Sequence, residues 1–423
     1  MALIVPAMMI GCQKPDTPQE DPTPEPPVEK PDTPVTPEPE IQLAPEIKSG
    51  DCVLAPNKFA EEFVTKVTYP DRDYSYSVVL DYHGGYNGQL AEGESVNSDK
   101  SSEYTIRWEA NEAEGKLQLE LSEQETGWSM TKEITAGSNY VDINNLTPNV
   151  HYTYKVSSIE KGTVMTEGNF TTYGHIRQVF FKTRVRNGRD MGGWLTYDGK
   201  MVKYHKIYRT GRWESSTMAN SGKKAIIAEG IKAQLDLRNT SDVLDAPAID
   251  GMDFCAPLIE TGGDSMLKAE KGDKTRQCMQ FIIDCVKADK PVVYHCSLGR
   301  DRTGTLGMII LGLLDVVEGD ISKEYEVTYF SPRGWSIASS ETYKTFQNLR
   351  TTWAYKPAAE YIWAGKYPNA TYEFNDDKES ADYTPFSVRI EKYLLDLGIS
   401  QEDINTFREL MLTEPYPSLQ PAE

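Results

Sequence analysis

At 423 residues the chain exceeds one ordinary domain, so two folded units with additional unstructured material are expected. Charged residues make up 26% and hydrophobic ones 39%, a soluble globular composition in which no stretch is apolar enough to span a bilayer. The formal net charge of −20 argues against nucleic acid as a partner, since its phosphates would be repelled.

The chain opens MALIVPAMMIGC, an apolar run that ends in Gly11-Cys12 and turns polar at once with Gln13 and Lys14. This resembles a bacterial lipoprotein signal, in which the cysteine is lipidated and becomes the mature N-terminus. The resemblance implies residues 1–12 as signal segment, Cys12 as lipidation site and an anchor in the outer membrane. It also implies export to the periplasmic face or the surface of a Gram-negative cell. Residues 13–45 are Pro, Thr, Asp and Glu with almost nothing apolar, and PDTP occurs twice. Such a segment cannot bury a core and is predicted to be a disordered, extended tether. Acidic residues directly after the cysteine also resemble the surface-export signal of Bacteroides-group lipoproteins.

Residues 46–173 read as a β-sandwich. TIRWEA at 105–110 and KLQLELS at 116–122 alternate with period two, and turn-rich stretches separate the strands. Further strands follow in VDINNLTPNVHYTYKVSSI and GNFTT. Leu146-x-Pro148 followed by Tyr152 resembles the tyrosine corner of fibronectin type III domains, and Trp108 stands where that fold keeps its core tryptophan. Residues 46–93 are expected to give a first strand and irregular structure packed on the sandwich. Trp128, Tyr82 and Tyr86 could line a ligand surface, with core packing the preferred reading. The predicted role of the unit is that of a spacer.

In the last part of the chain, residues 295–304 read HCSLGRDRTG. KPVVYH at 290–295 has the pattern of a short buried strand, and GTLGMIILGLL at 304–314 that of a buried helix. The stretch between them is therefore a strand–loop–helix junction. Backbone N–H groups of Ser297, Leu298, Gly299, Arg300, Asp301 and Arg302 can turn inward there and, with the helix dipole, cradle an anion. Gly299 permits the curvature. Cys296, at the base, would be held as a thiolate by the helix N-terminus and nearby cations. Arg302 offers a planar fork to two phosphoryl oxygens, and the Thr303 hydroxyl can donate to the thiolate. The chemistry that results is nucleophilic hydrolysis of a phosphate ester through phosphocysteine. No metal and no cofactor is called for. The six cysteines show no C-x-x-C spacing, and Cys278 and Cys285 are expected on one buried helix face.

HCSLGRDRTG resembles the H-C-x5-R-[ST]-G signature of the cysteine-dependent protein tyrosine phosphatases. NGRDMGGWLTYDGKMVKYHKIYRTGRW at 187–213 and IKAQLDLRNTSD at 231–242 are similar to an atypical bacterial branch that includes the secreted mycobacterial tyrosine and lipid phosphatase. The resemblance implies an α/β catalytic domain over 174–416, a mostly parallel sheet flanked by helices, with a short tail at 417–423. The site lies where a central strand ends. The Trp-Pro-Asp tripeptide that often carries the general acid is absent. That branch and the myotubularin lipid phosphatases have aspartate at the position of Asp301, which makes Asp301 the expected acid. Asp264 and Asp273 are upstream alternatives. Asp190 and Asp236 are expected to orient arginines around the pocket or to form structural salt bridges.

Three functions remain open: a phosphatase for phosphotyrosine, extending to phosphoserine and phosphothreonine; a phosphoinositide or inositol phosphate phosphatase; and an inactive surface lipoprotein that binds phosphoproteins or glycans. The second would use Arg300, with Arg184, Arg186, Arg189, Arg209 and Arg238 as further cations. A monomer acting on a phosphorylated protein or phospholipid is expected.

Overall fold

The computed structural model describes residues 52–54, 57–72, 74, 101, 103–181, 185–213, 218–331 and 354–416. Cys12, the tether, Tyr82, Tyr86, Arg184 and the 417–423 tail lie outside them. The chain divides into two units, Met1–Glu40 and Ile41–Glu423, and every described element belongs to the second.

The first strands are β1 (Cys52–Val53), β2 (Glu103–Arg107), β3 (Leu117–Glu123), β4 (Ser129–Ile134), β5 (Tyr140–Asn144), β6 (His151–Ser158) and β7 (Val164–Tyr173). They form one sheet in the order β1-β7-β6-β3-β4 and a second of β2 and β5. Period-two patterning becomes a burial pattern: Leu117, Leu119 and Leu121 of β3 turn inward, and Glu123 continues the same buried face. Ile106, Val141 and Ile143 of the small sheet join those leucines, Val156 and Phe170 in one apolar cluster. The Tyr152 hydroxyl accepts from the Thr147 N–H at 2.7 Å. Trp108 is half-buried against the cluster, and its indole nitrogen is buried with no acceptor among the described residues.

Residues 57–74 depart from the expectation of irregular structure on the sandwich. Helix α1 (Lys58–Lys66) is capped by Asn57, whose side chain accepts from the N–H groups of Phe59 and Ala60. Its buried Phe59, Phe63 and Val64 pack into the other core, that of the α/β layer. Phe59 and Phe63 stand four apart, so the helical stripe was present in the sequence.

The α/β layer has strands β8 (Arg189–Asp190), β9 (Met201–Val202), β10 (Ile207–Thr210), β11 (Ala233–Asp236), β12 (Asp253–Cys255), β13 (Val292–His295) and β14 (Leu412–Thr413). Its helices are α2 (Asn220–Ala228), α3 (Asp264–Leu267), α4 (Ala269–Lys287), α5 (Asp301–Leu313), α6 (Glu318–Glu326), α7 (Tyr355–Ala364), α8 (Phe386–Asp396) and α9 (Gln401–Met411). The sheet runs β12-β11-β13-β10-β8, parallel except for the edge strand β8. Alternation along β13 sends Val292 and Tyr294 into a cluster with Ile282 of α4 and Ile309 of α5. It sends Val293 into another with Ile226 of α2 and Trp213. Helices thus cover both faces, which is why the central strand is buried throughout. Cys278 and Cys285 are buried on α4 in the first cluster.

Candidate active site

Strand β13 ends at His295, and the chain turns through residues 296–300 before α5 begins at Asp301. The turn needs glycine at one point. Gly299 has φ +72°, and a Cβ there would stand 2.5 Å from the Thr210 carbonyl oxygen. Gly299→Ala is therefore expected to push the loop off β10. Inhibition by inorganic phosphate should weaken on the order of tenfold while the circular dichroism spectrum is retained.

Two neighbours turn the loop's carbonyls outward. Asn187 Nδ2 donates to the carbonyls of Leu298 at 3.3 Å and Gly299 at 3.0 Å, and Arg209 Nη2 donates to Gly299 at 2.7 Å. Because the peptide is planar and trans, fixing the Leu298 carbonyl on one side sends the Gly299 N–H to the other. The N–H groups of Leu298 and Gly299 donate to no protein acceptor among the described residues. Asn187 and Arg209 are themselves held. Arg189 donates to Asn187 Oδ1, to Glu324 Oε1 at 2.7 Å and to Thr328 Oγ1 at 3.0 Å. Arg209 pairs with Glu324.

Cys296 is buried at the base of this loop. Burial alone raises its thiol pKa. The Arg302 charge, the Thr303 hydroxyl and the Thr303 N–H act against burial, and the net result is a lowered pKa. The Thr303 oxygen is buried, with no other hydrogen-bond partner among the described residues. Arg302 Nη1 donates to the carbonyls of Ile259 at 2.9 Å and Leu237 at 3.3 Å, and Nη2 lies 3.4 Å from Ser297 Oγ. Ser297 Oγ donates to Asp242 at 2.7 Å. The segment carrying Ile259 is pressed onto the start of α5, since a Cβ on Gly262 would stand 2.6 Å from the Asp301 carbonyl carbon. His295 is buried, which carries its pKa down to about 4 and keeps the ring neutral.

Asp301 and Arg302 both occupy the first turn of α5, but Asp301 turns toward Arg300. Its carboxylate accepts from Arg300 Nε at 3.1 Å and Nη2 at 3.1 Å, and from the Tyr325 hydroxyl at 3.3 Å. Arg300 is thus neutralised within the loop, and its guanidinium lies over the Tyr329 ring. Of the upstream alternatives, Asp264 pairs with Lys268 at 2.5 Å and Asp273 is exposed on α4. Neither side chain makes a hydrogen bond or ion pair with the loop among the described residues.

One sequence expectation is corrected. Arg189, Arg209 and Arg238 do not stand ready as surface cations; they are buried against Glu324 and Asp236. Asp236 does orient an arginine, Arg238, whereas Asp190 pairs with Arg177 away from the loop. Asn187, Asp242, Glu324 and Thr328 are site residues that sequence reading missed. Asn187 had a signal, as the first residue of the quoted NGRDMGG stretch. Asp242 likewise closes the IKAQLDLRNTSD stretch, whereas Glu324 and Thr328 are brought in by α6 and the turn after it, and nothing local marks them.

The profile of the tyrosine phosphatase family matches residues 182–413. A protein of Cupriavidus necator, named as a candidate tyrosine-protein phosphatase, is 23% identical over 164 residues. The match covers 33% of this chain and 59% of that protein, so the chain spans about six-tenths of its relative's length.

Proposed function

The chain belongs to the tyrosine phosphatase family, and from that premise we propose that it hydrolyses phosphotyrosine in proteins through a phosphocysteine intermediate, with phosphoserine and phosphothreonine also within its chemistry. In the first step the Cys296 thiolate attacks phosphorus and the bond to the leaving oxygen breaks. Asp301 gives that oxygen a proton. In the second step water attacks the phosphocysteine, Asp301 takes the proton back, and the sulfur leaves as thiolate with release of inorganic phosphate. Arg302 holds two non-bridging oxygens throughout, and Ser297, Leu298, Gly299, Arg300 and Thr303 contribute the rest of the cradle.

The observation that carries this reading is the buried Cys296 thiol, with lowered pKa, beneath a loop whose carbonyls are pinned outward. Turnover of para-nitrophenyl phosphate tests it, followed by a panel of phosphotyrosine peptide, phosphoserine peptide and phosphoinositide. No hydrolysis of any of them would leave the inactive binding protein as the reading. The burial of Arg189, Arg209 and Arg238 in ion pairs counts against a polyanionic headgroup as substrate, because those charges are already spent inside.

We read residues 46–173 as a fibronectin type III-like sandwich. The run β4-β3-β6-β7 facing β2-β5 and the Tyr152 hydroxyl on the Thr147 backbone support this. Lipidation at Cys12 would anchor a monomer to the outer membrane. Full-length protein should then partition into detergent, and Cys12→Ala should release it to the soluble fraction. Equal partitioning of the two would end the lipoprotein reading.

A further inference from the structure

The sandwich meets the α/β layer through charges as well as apolar surface. Met201, Tyr204 and Tyr416 of the α/β layer share the sandwich core. Beside them lies Glu123, the last inward residue of β3. Glu123 Oε2 is 2.8 Å from Nε2 of His205, which stands in the turn before β10. Its Oε1 accepts from Thr147 Oγ1 at 2.7 Å and from the Tyr152 hydroxyl. The Trp128 ring stacks on His205 with centroids 5.2 Å apart. Trp128 therefore belongs to this junction.

On its other side His205 is tied to the sheet. Its N–H donates to Asp190 at 2.8 Å, and Nδ1 lies 3.2 Å from the Tyr208 hydroxyl, which donates to Glu229 at 3.0 Å. Arg177 bridges Asp190 at 3.0 Å and Glu229 at 2.5 Å. Burial pushes the Glu123 carboxyl up, but His205 and Arg177 bring it down to about 2. Burial and Arg177 push His205 down, and Glu123 with Glu229 restores it to above its ordinary value. Glu123 is thus held ionised, and the two carboxylates favour the protonated form of His205.

Strands β8 and β10 connect this cluster to the loop. They pair antiparallel, Asp190 opposite Tyr208 and Arg189 opposite Arg209. Because side chains alternate along strands, Asp190 and Tyr208 face the charge cluster while Arg189 and Arg209 face the loop. Arg209 holds the Gly299 carbonyl, and Arg189 holds Asn187, which holds Leu298 and Gly299. The same short ribbon thus carries the junction on one face and the carbonyl anchors on the other.

We propose that Glu123, a residue of the sandwich, is a positioning residue for the phosphatase reaction. Its charge fixes His205, Asp190 and Tyr208, and β8 and β10 carry that placement to the carbonyls that aim the cradle at phosphate. The sandwich is then part of the catalytic apparatus and not the spacer expected from sequence. This rests on the phosphatase reading of the loop.

The test is Glu123→Gln in the full chain, which keeps size and removes charge. Leu119→Val, in the sandwich core away from the cluster, is the control for loosening alone. Three quantities are read: kcat and KM for para-nitrophenyl phosphate, Tm, and the pH midpoint for alkylation of Cys296 by iodoacetamide, mapped by peptide mass. Glu123→Gln should lower kcat about tenfold with a smaller change in KM and raise the alkylation midpoint, because a displaced loop holds the thiolate less well. Leu119→Val should lower Tm without either effect. Wild-type kcat and an unmoved midpoint in Glu123→Gln, whatever its Tm, would overturn the proposal and leave the cluster as an adhesive between two cores. If Glu123→Gln does not fold, Thr147→Val, which removes a hydroxyl from Glu123 and His205, is read in the same way. Inactivity of the wild-type chain on every ester would instead overturn the phosphatase reading, and the alkylation midpoints would still decide whether Glu123 positions the loop.

Discussion

Cys296→Ser is expected to abolish turnover, with a loss on the order of 10⁴-fold or more, as removal of a nucleophile gives in other enzymes. The reason is specific to this site. The loop lowers the pKa of the thiol and so enlarges its thiolate fraction, whereas a serine hydroxyl in the same place stays protonated. Phosphate binding should survive, because the cradle is largely backbone whose carbonyls Asn187 and Arg209 hold outward, and none of that depends on sulfur. Inhibition constants cannot be read on a dead enzyme, so binding of phosphate is measured by calorimetry. Iodoacetamide adds the pH dependence. Since the folded pKa of Cys296 is lowered from that of a free thiol, alkylation should persist below the usual thiol range and stop as pH falls through the folded value. The same shift stabilises the fold above the unfolded pKa, and that contribution is lost over the same fall in pH. Substantial turnover by the serine variant would end the phosphocysteine mechanism.

The parts of this site that could be read in the sequence are those made by neighbours along the chain. The strand at 292–295, the loop and the helix after Arg302 are contiguous, and their apolar pattern, glycine and charges declare the junction by themselves. The supports are different in kind. Glu324 reaches Arg189 across 135 positions, and Glu123 reaches His205 across 82. A carboxylate in such a pair has no local mark that separates it from a solvated one. The arginines misled for the same reason. Arg189, Arg209 and Arg238 read as available charge until the fold brings carboxylates against them and buries both partners. Tertiary pairing then converts would-be substrate ligands into scaffolding. Helix α1 is a different case, since its Asn57 cap and Phe59–Phe63 stripe are legible in the sequence, but only the fold shows that the stripe packs into the core of the α/β layer.

Asp301→Asn should separate acid catalysis from mere support, and leaving-group chemistry makes the separation. A general acid contributes about 10²–10⁴-fold, and more as the leaving group worsens. Para-nitrophenolate departs without a proton, whereas an alkoxide does not. If Asp301 protonates the leaving oxygen, the asparagine variant should lose little with activated aryl phosphates and a factor within that range with alkyl phosphates. The rate of phosphocysteine formation should also lose its basic limb, because the group that must be protonated there has gone. The geometry gives the competing outcome a definite meaning. The Asp301 carboxylate accepts from Arg300 and Tyr325, so its other task is to hold Arg300 in the loop and against Tyr329. Asparagine keeps one carbonyl acceptor but weakens that ion pair for every substrate alike. A uniform loss across aryl and alkyl esters would therefore assign Asp301 to Arg300 and not to the leaving group. The acid would then be sought first at Asp264, which precedes Ser265 on α3 and lies two residues after Gly262, itself packed against the start of α5. There the first sign would be an Asp264→Asn variant that reproduces the selective loss on alkyl esters.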